Sequence, residues 1–290
     1  MTVLLLEAGK PKEDVPASTI PAAVSKILGT DADWNIQSKP CAELNNRSLH
    51  LGRGKFVGGS SGCNGALCIR GVPQDYDDWD VKGWSGSEMF AYMKKAAKFQ
   101  NKLWFEATYS EHGDDGPLLT APHDPAPISN RVLESFQSKG LPLEPDMFAT
   151  GMIAQGCGHA VRSIYQGVRT MSFDYIGSKP NFQNIDIVTG RYVDKIFFEE
   201  DGNELVAAGV EVRDERGLKY HIKAKKEIIL ASGTYGSPPV LLRSGIGPRP
   251  ELEALGIPSK IDLPGVGKNL MDHLVRLHGE LIPKYGSLTQ

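Results

Sequence analysis

Between Gly52 and Gly71 the chain carries seven glycines and an adjacent pair of serines, Ser60 and Ser61. Glycine gives up the most conformational freedom on folding, so this density rules out an ordinary helix or strand. Backbone stripped of side chains serves close approach. The segment is expected to wrap around something that its N–H groups must reach. A plain surface loop accounts less well for so long a mixture of glycine and apolar residues.

The surrounding pattern is that of an α/β protein. Residues 2–6 form a short apolar run that ends in Glu7-Ala8-Gly9, which reads as a buried strand of a parallel sheet followed by a turn. From 12 to about 41 the chain is punctuated by proline, with one helical stretch over 22–28 that Gly29 stops. Residues 83–102 carry Met89, Tyr92, Met93, Ala96, Ala97 and Phe99 near a helical period, and 113–127 is loop-like. Residues 184–188, 193–198, 206–212 and 218–224 read as four strands of a β-meander, broken by Gly190, Asp201-Gly202 and Glu215-Arg216-Gly217. A further buried strand is expected at 227–231, then Gly233, then a helix that starts at Ser237-Pro238-Pro239 and stops at Gly245. Strand, glycine turn and capped helix make the βα unit of a nucleotide-binding fold.

Composition bounds the partners. The 290 residues suffice for one large or two ordinary domains, and the 40% apolar and 23% charged fractions sit near soluble averages. No run of about 18 apolar residues occurs, so no membrane-spanning helix is expected. A net charge of −3 supplies no basic field for nucleic acid. The densest basic cluster, Lys223, Lys225 and Lys226, is expected on a solvated strand edge. Cys41, Cys63, Cys68 and Cys157 contain no C-x-x-C pair and no zinc spacing with histidine, so free thiols are expected and no metal site.

Glu7 closes the first strand, where doubly wound dinucleotide folds place an acidic residue for the adenosine ribose, about 20 residues after a G-x-G-x-x-G turn. Only six residues precede it here, and the later glycine pairs are near misses. A solvent-facing carboxylate at a strand end is an equally good account of Glu7 alone. The expectation is a chain that opens inside its fold, without the strand and glycine turn that would come first.

Two longer stretches carry a resemblance. Gly54-Lys55-Phe56-Val57-Gly58-Gly59-Ser60-Ser61-Gly62-Cys63-Asn64, running on to Arg70-Gly71 and Asp77, resembles the first signature of the glucose-methanol-choline (GMC) oxidoreductases. Residues 233–247, from Gly233-Thr234-Tyr235-Gly236 to Gly245-Ile246-Gly247, resemble the second. Gly167-Val168-Arg169, Val193 and residues 266–273 support it, so the similarity covers nearly the whole chain.

The resemblance implies a doubly wound, Rossmann-like FAD-binding domain with a β-meander, incomplete, built from residues 1–75 and 160–275. It implies a lid or substrate-side segment over 76–159, and at 276–290 the start of a substrate domain. FAD is the implied cofactor and a small-molecule alcohol the implied substrate, oxidised at its CH–OH group. Glu7 would hold the adenosine ribose, and Ser60, Asn64, Gly65, Ala66 and Leu67 would line the phosphates and the isoalloxazine. Gly58, Gly59 and Gly62 would let backbone approach the cofactor, Val193 would touch the adenine with its backbone, and Gly233, in the second signature's turn, would also bind the cofactor.

Cys63 and Cys68 depart from the family pattern, which has an aliphatic residue at the first position and an aromatic or alanine at the second. Cys63 is expected beside the flavin, non-covalently, as a small apolar member of the wall. None of His50, His112, His123, His159, His221, His273 and His278 lies in a stretch resembling the family's catalytic segment, which the resemblance would place after Gln290. The chain is therefore expected to carry cofactor-wall residues and no proton-abstracting base. An inactive truncated product, or a flavoprotein of this fold with other chemistry, remains the alternative.

Overall fold

The computed structural model describes residues 1–177, 183–202 and 204–272, and the chain divides into two compact units, Met1–Tyr192 and Val193–Gln290. In the first unit the opening apolar run forms the strand Val3–Leu6. It pairs in parallel with Ile185–Val188, in a register running from Val3↔Ile185 to Leu6↔Val188. The strand is less buried than expected, with Val3 37% and Leu4 44% exposed. A two-stranded sheet explains this, because each strand has one hydrogen-bonded neighbour and little cover on its faces. Ile185–Val188 thereby leaves the meander to which its sequence assigned it. Its apolar pattern announces a strand, but its partner lies about 180 residues away and leaves no local mark.

Beyond Leu6 the backbone is zipped to the start of the glycine segment. Lys10 pairs in parallel with Phe56, and the Val57 N–H donates to the Lys10 carbonyl at 2.9 Å. A side chain on Gly9 would overlap the Lys55 carbonyl, so only glycine allows this approach. Phe56 is fully buried and forms a core cluster with Val15, Ile27, Ala32 and Cys63. The helix expected over 22–28 shrinks to one 3-10 turn, Val24–Lys26, ended by Gly29 at φ +78°. With prolines at 11, 16 and 21 nearby, the chain makes successive 3-10 turns instead of a longer helix.

The helix expected over 83–102 is Gly86–Ala96, capped reciprocally by Ser85 and Glu88. Its last apolar residues turn into a strand, Ala97–Phe99, parallel to Leu118–Pro122, which is antiparallel to Val161–Arg162. The 113–127 loop therefore contains a strand. Its Asp- and Pro-rich flanks hide the short run in which Thr120 and Ala121 are buried.

In the second unit the strands Tyr192–Asp201, Glu204–Arg213 and Lys219–Lys223 lie side by side in chain order, a meander of three strands. Residues 227–231 form no strand. They have no hydrogen-bonded neighbour among the described residues, and Ile229 is 77% exposed. An apolar run acquires strand geometry only when another strand takes its N–H and C=O groups. The helix that follows spans Gly233–Arg243, so it starts four residues before Ser237 and holds Pro238 and Pro239 inside it. Gly233 at φ +77° makes the turn itself, which brings the helix start forward. Gly245 at φ +86° ends it as expected. No helix of the described residues is long and apolar enough to cross a membrane.

Candidate functional site

The glycine segment builds the site, and its glycines fall into two kinds. A Cβ on Gly54 would overlap the Gly59 carbonyl, one on Gly62 would lie 2.6 Å from the Phe56 ring, and one on Gly58 would lie 2.9 Å from Met171 Sδ. These three fold the loop onto its own core. Gly59 and Gly65 have nothing within 4 Å of that position and face open space. Of the three glycines expected to clear a path for a ligand, Gly59 faces open space, as Gly65 does, whereas a Cβ on Gly58 or Gly62 would meet the protein itself. Gly58 at φ +110° and Gly59 at φ +51° also turn the backbone into the short 3-10 helix Gly59–Gly62.

The two serines differ in the same way. Ser61 Oγ donates to the Gly58 carbonyl at 2.5 Å and lies 3.0 Å from Ser172 Oγ, so it staples the loop. Ser60 is exposed, and its hydroxyl has no hydrogen-bond partner among the described residues. Asn64 is exposed as well, but one end of its amide is occupied. Its Oδ1 accepts from the Ala66 N–H at 2.9 Å and from Arg169 Nη1 at 2.7 Å. Ala66, buried at φ +58°, is held by this turn, and its carbonyl accepts from the Ser163 N–H at 2.8 Å. Leu67 pairs with Arg162 and leaves its side chain exposed.

Arg169 is the residue whose role the sequence did not disclose. It is 2% exposed, and besides Asn64 Oδ1 it donates to the carbonyls of Asn64 (2.8 Å), Pro21 (3.2 Å) and Ser61 (3.3 Å). Burial lowers its pKa, and no carboxylate pairs with it among the described residues. It stands on a hairpin, Ile164–Tyr165 against Val168–Arg169, whose turn residues Gln166 and Gly167 both have positive φ. Gly167-Val168-Arg169 was visible as a motif, with the glycine marking the turn. The buried guanidinium was not.

Glu7 ends the Val3–Leu6 strand half-buried, and its Oε1 accepts from the Gly9 N–H at 2.7 Å. Burial pushes its pKa up, opposed by the Gly9 and Ala8 N–H groups and by the Lys55 charge. The Lys10–Phe56 pairing joins this strand end to the loop, so one unit brings together Glu7, Gly58, Gly59, Ser60, Asn64, Gly65, Ala66 and Leu67. Val193 and Gly233 belong to the other unit. Val193 sits in the strand Tyr192–Asp201, and Gly233 opens the helix with nothing within 4 Å of a Cβ position.

Cys63 turns away from the open side into the cluster around Phe56, where burial raises its pKa and keeps the thiol protonated at neutral pH. It is a packed-wall residue. All four cysteines are free. Three histidines are tied to carboxylates: His50 to Asp33 and His112 to Asp146, both at 2.9 Å, and His221 to Glu211 at 3.4 Å. His159 packs edge-on to Trp104, and His123 is exposed. His273 and His278 lie outside the described residues.

An open glycine backbone, a free hydroxyl and a half-occupied amide suit a ligand rich in hydrogen-bond acceptors. Known proteins of similar sequence and fold are oxidoreductases by name, one of them FAD-dependent. An oxygen-dependent choline dehydrogenase of Pseudomonas putida is 35% identical over 284 residues, covering 94% of this chain and 48% of the relative. One from Photobacterium profundum is 32% identical over 280 residues. Among solved structures, an FAD-dependent oxidoreductase from Chaetomium thermophilum superimposes with a TM-score of 0.83 at 33% identity, and a formate oxidase with 0.84 at 29%; each comparison covers 94% of this chain and 48% of the other. The chain thus spans about half the length of the relatives it matches. Residues 17–275 match the GMC oxidoreductase profile, and the chain belongs to that family.

Proposed function

We propose that this chain is the FAD-binding part of an oxidoreductase that acts on the CH–OH group of a small alcohol. The observation that carries this is the open face of the glycine loop. Gly59 and Gly65 leave backbone unshielded, and the Ser60 hydroxyl is free to donate. That face fits a pyrophosphate and a flavin edge, both of which present acceptor atoms. Glu7, joined to the loop through Lys10 and Phe56, would accept from the ribose hydroxyls at the adenosine end. Residues 1–75 and 160–275 would form the FAD-binding domain, with Val193 and Gly233 among its cofactor-binding residues, and 76–159 the substrate-side segment. FAD, when bound, supplies the hydride acceptor.

The described residues would hold and orient the cofactor; their histidines are engaged in ion pairs, packed on an aromatic ring or exposed, and none of them is proposed as the base that takes the substrate proton. The choline dehydrogenases among its relatives favour an alcohol substrate. The likeness to a formate oxidase favours a second reading, the same flavin fold turned to a substrate that is not an alcohol.

The test is to express the 290 residues, titrate FAD by quenching of flavin fluorescence, and assay primary and secondary alcohols and formate. Saturable FAD binding weaker than micromolar, with no turnover, is expected. Absence of saturable binding would remove the cofactor assignment. Micromolar or tighter binding with turnover would show that the chain supplies its own base.

A further inference from the structure

We propose that Arg169 is a positioning residue that locks the side-chain amide of Asn64 in one orientation, so that Asn64 meets the cofactor as a donor. The inference rests on the FAD reading of the glycine loop and adds to it the polarity of one contact. Both groups that touch the Asn64 amide from the protein side are obligate donors: a backbone N–H at 2.9 Å and a guanidinium nitrogen at 2.7 Å. A guanidinium has no acceptor atom, and neither has a peptide N–H. The amide end facing them must therefore be the oxygen, whichever way the two ends are assigned. The other end, Nδ2 with two hydrogens, has no acceptor among the described residues and lies on an exposed side chain. A cofactor atom seated there must be an acceptor, such as a phosphate oxygen or a flavin carbonyl or ring nitrogen.

Arg169 is well placed to enforce this. Its second terminal nitrogen, Nη2, donates at 2.8 Å to the carbonyl of the same Asn64, so one guanidinium holds both the main chain and the side chain of that residue. The fork is planar and rigid, and the side chain is almost wholly buried, which leaves the amide no room to rotate past it. The contacts to the Pro21 and Ser61 carbonyls fix the guanidinium in turn.

The arrangement also leaves a buried cation whose Nε has no partner and which no described carboxylate neutralises. This gives the proposal a test with two readouts of opposite sign. In Asn64→Asp the new carboxylate accepts from the Ala66 N–H and from Arg169, so it supplies the missing counter-charge at an exposed position where it keeps part of its water. The Tm of the FAD-free chain should rise. The same change replaces the outward donor with an acceptor, and FAD affinity should fall by about tenfold or more. Asn64→Ala removes the donor without adding charge and should weaken FAD severalfold. Arg169→Met should lower both Tm and affinity, with Arg169→Lys recovering part of each.

The measurements are thermal unfolding and FAD fluorescence titration on the 290-residue chain. They are joined by a 1H–15N spectrum in which the Asn64 side-chain pair, identified by its loss in Asn64→Asp, should shift on adding FAD. If wild type does not bind FAD, the cofactor reading itself fails. If wild type binds and Asn64→Ala binds equally well, or the Asn64 amide pair does not shift, the donor assignment is wrong. If Asn64→Asp unfolds earlier than wild type, Arg169 does not hold the oxygen end.

Discussion

At the scale of single residues, the glycines of the loop that look alike in sequence do different work. A Cβ on Gly62 would lie only 2.6 Å from the Phe56 ring, whereas one on Gly65 would meet nothing within 4 Å. Gly62→Ala should therefore destabilise the fold by about 1–3 kcal/mol through overpacking. Gly65→Ala should stay within about 0.5 kcal/mol of wild type in denaturant unfolding, yet weaken FAD binding by crowding the open face. Equal effects of the two substitutions on stability would contradict this division. The need for close backbone approach at 52–71 was legible from glycine density alone. Which glycine approaches the protein and which faces outward was not, because that depends on Phe56 and Met171 being folded against the loop.

At the scale of elements, the strand character of some runs was legible but their pairing was not. Val3–Leu6 and Ile185–Val188 both announce themselves by apolar runs, but nothing in either names the other. In the parallel ladder the Val3 and Glu7 N–H groups donate to the Asn184 and Val188 carbonyls. By alternation the Leu4 and Leu6 N–H groups face the opposite edge, which has no strand beside it among the described residues. Hydrogen exchange should find Val3 and Glu7 protected, and Leu4 and Leu6 faster by about a hundredfold or more. Equal protection at all four would mean that the second edge is covered.

The meander has its own chemistry. The Glu211 carboxylate, nearly buried, lies 3.0 Å from Lys219 Nζ, 3.4 Å from His221 and 3.7 Å from Lys195. The Lys219 hydrogen bond leads in holding its pKa below the ordinary 4.5. Its stabilisation is present above that ordinary value and lost as pH falls through the lower folded value. Glu211→Gln should thus lower Tm near neutrality and flatten the acid limb of a Tm-against-pH curve, whereas an unchanged acid limb would show that Glu211 contributes nothing there.

At the scale of the molecule, the α/β class and the order of most elements could be read from the sequence. The misreadings share a cause. The 227–231 run, the strand hidden in 113–127 and the 184–188 strand assigned to the meander were all judged by local pattern, while the outcome depended on partners elsewhere in the chain. Arg169 is the sharpest case. A sequence shows an arginine after a glycine turn, and its meaning comes only from Asn64, 105 residues away.

That separation also sets an order of events in time. The turns of the glycine loop are local, but Ala66, Leu67, Cys68 and Asn64 are held by residues 161–169, about a hundred positions further along the chain. Closing a loop of that length is slow compared with the local turns on either side. The open glycine face should therefore be among the last parts of its unit to mature, because its serines and glycines wait for an arginine that lies 105 residues beyond Asn64.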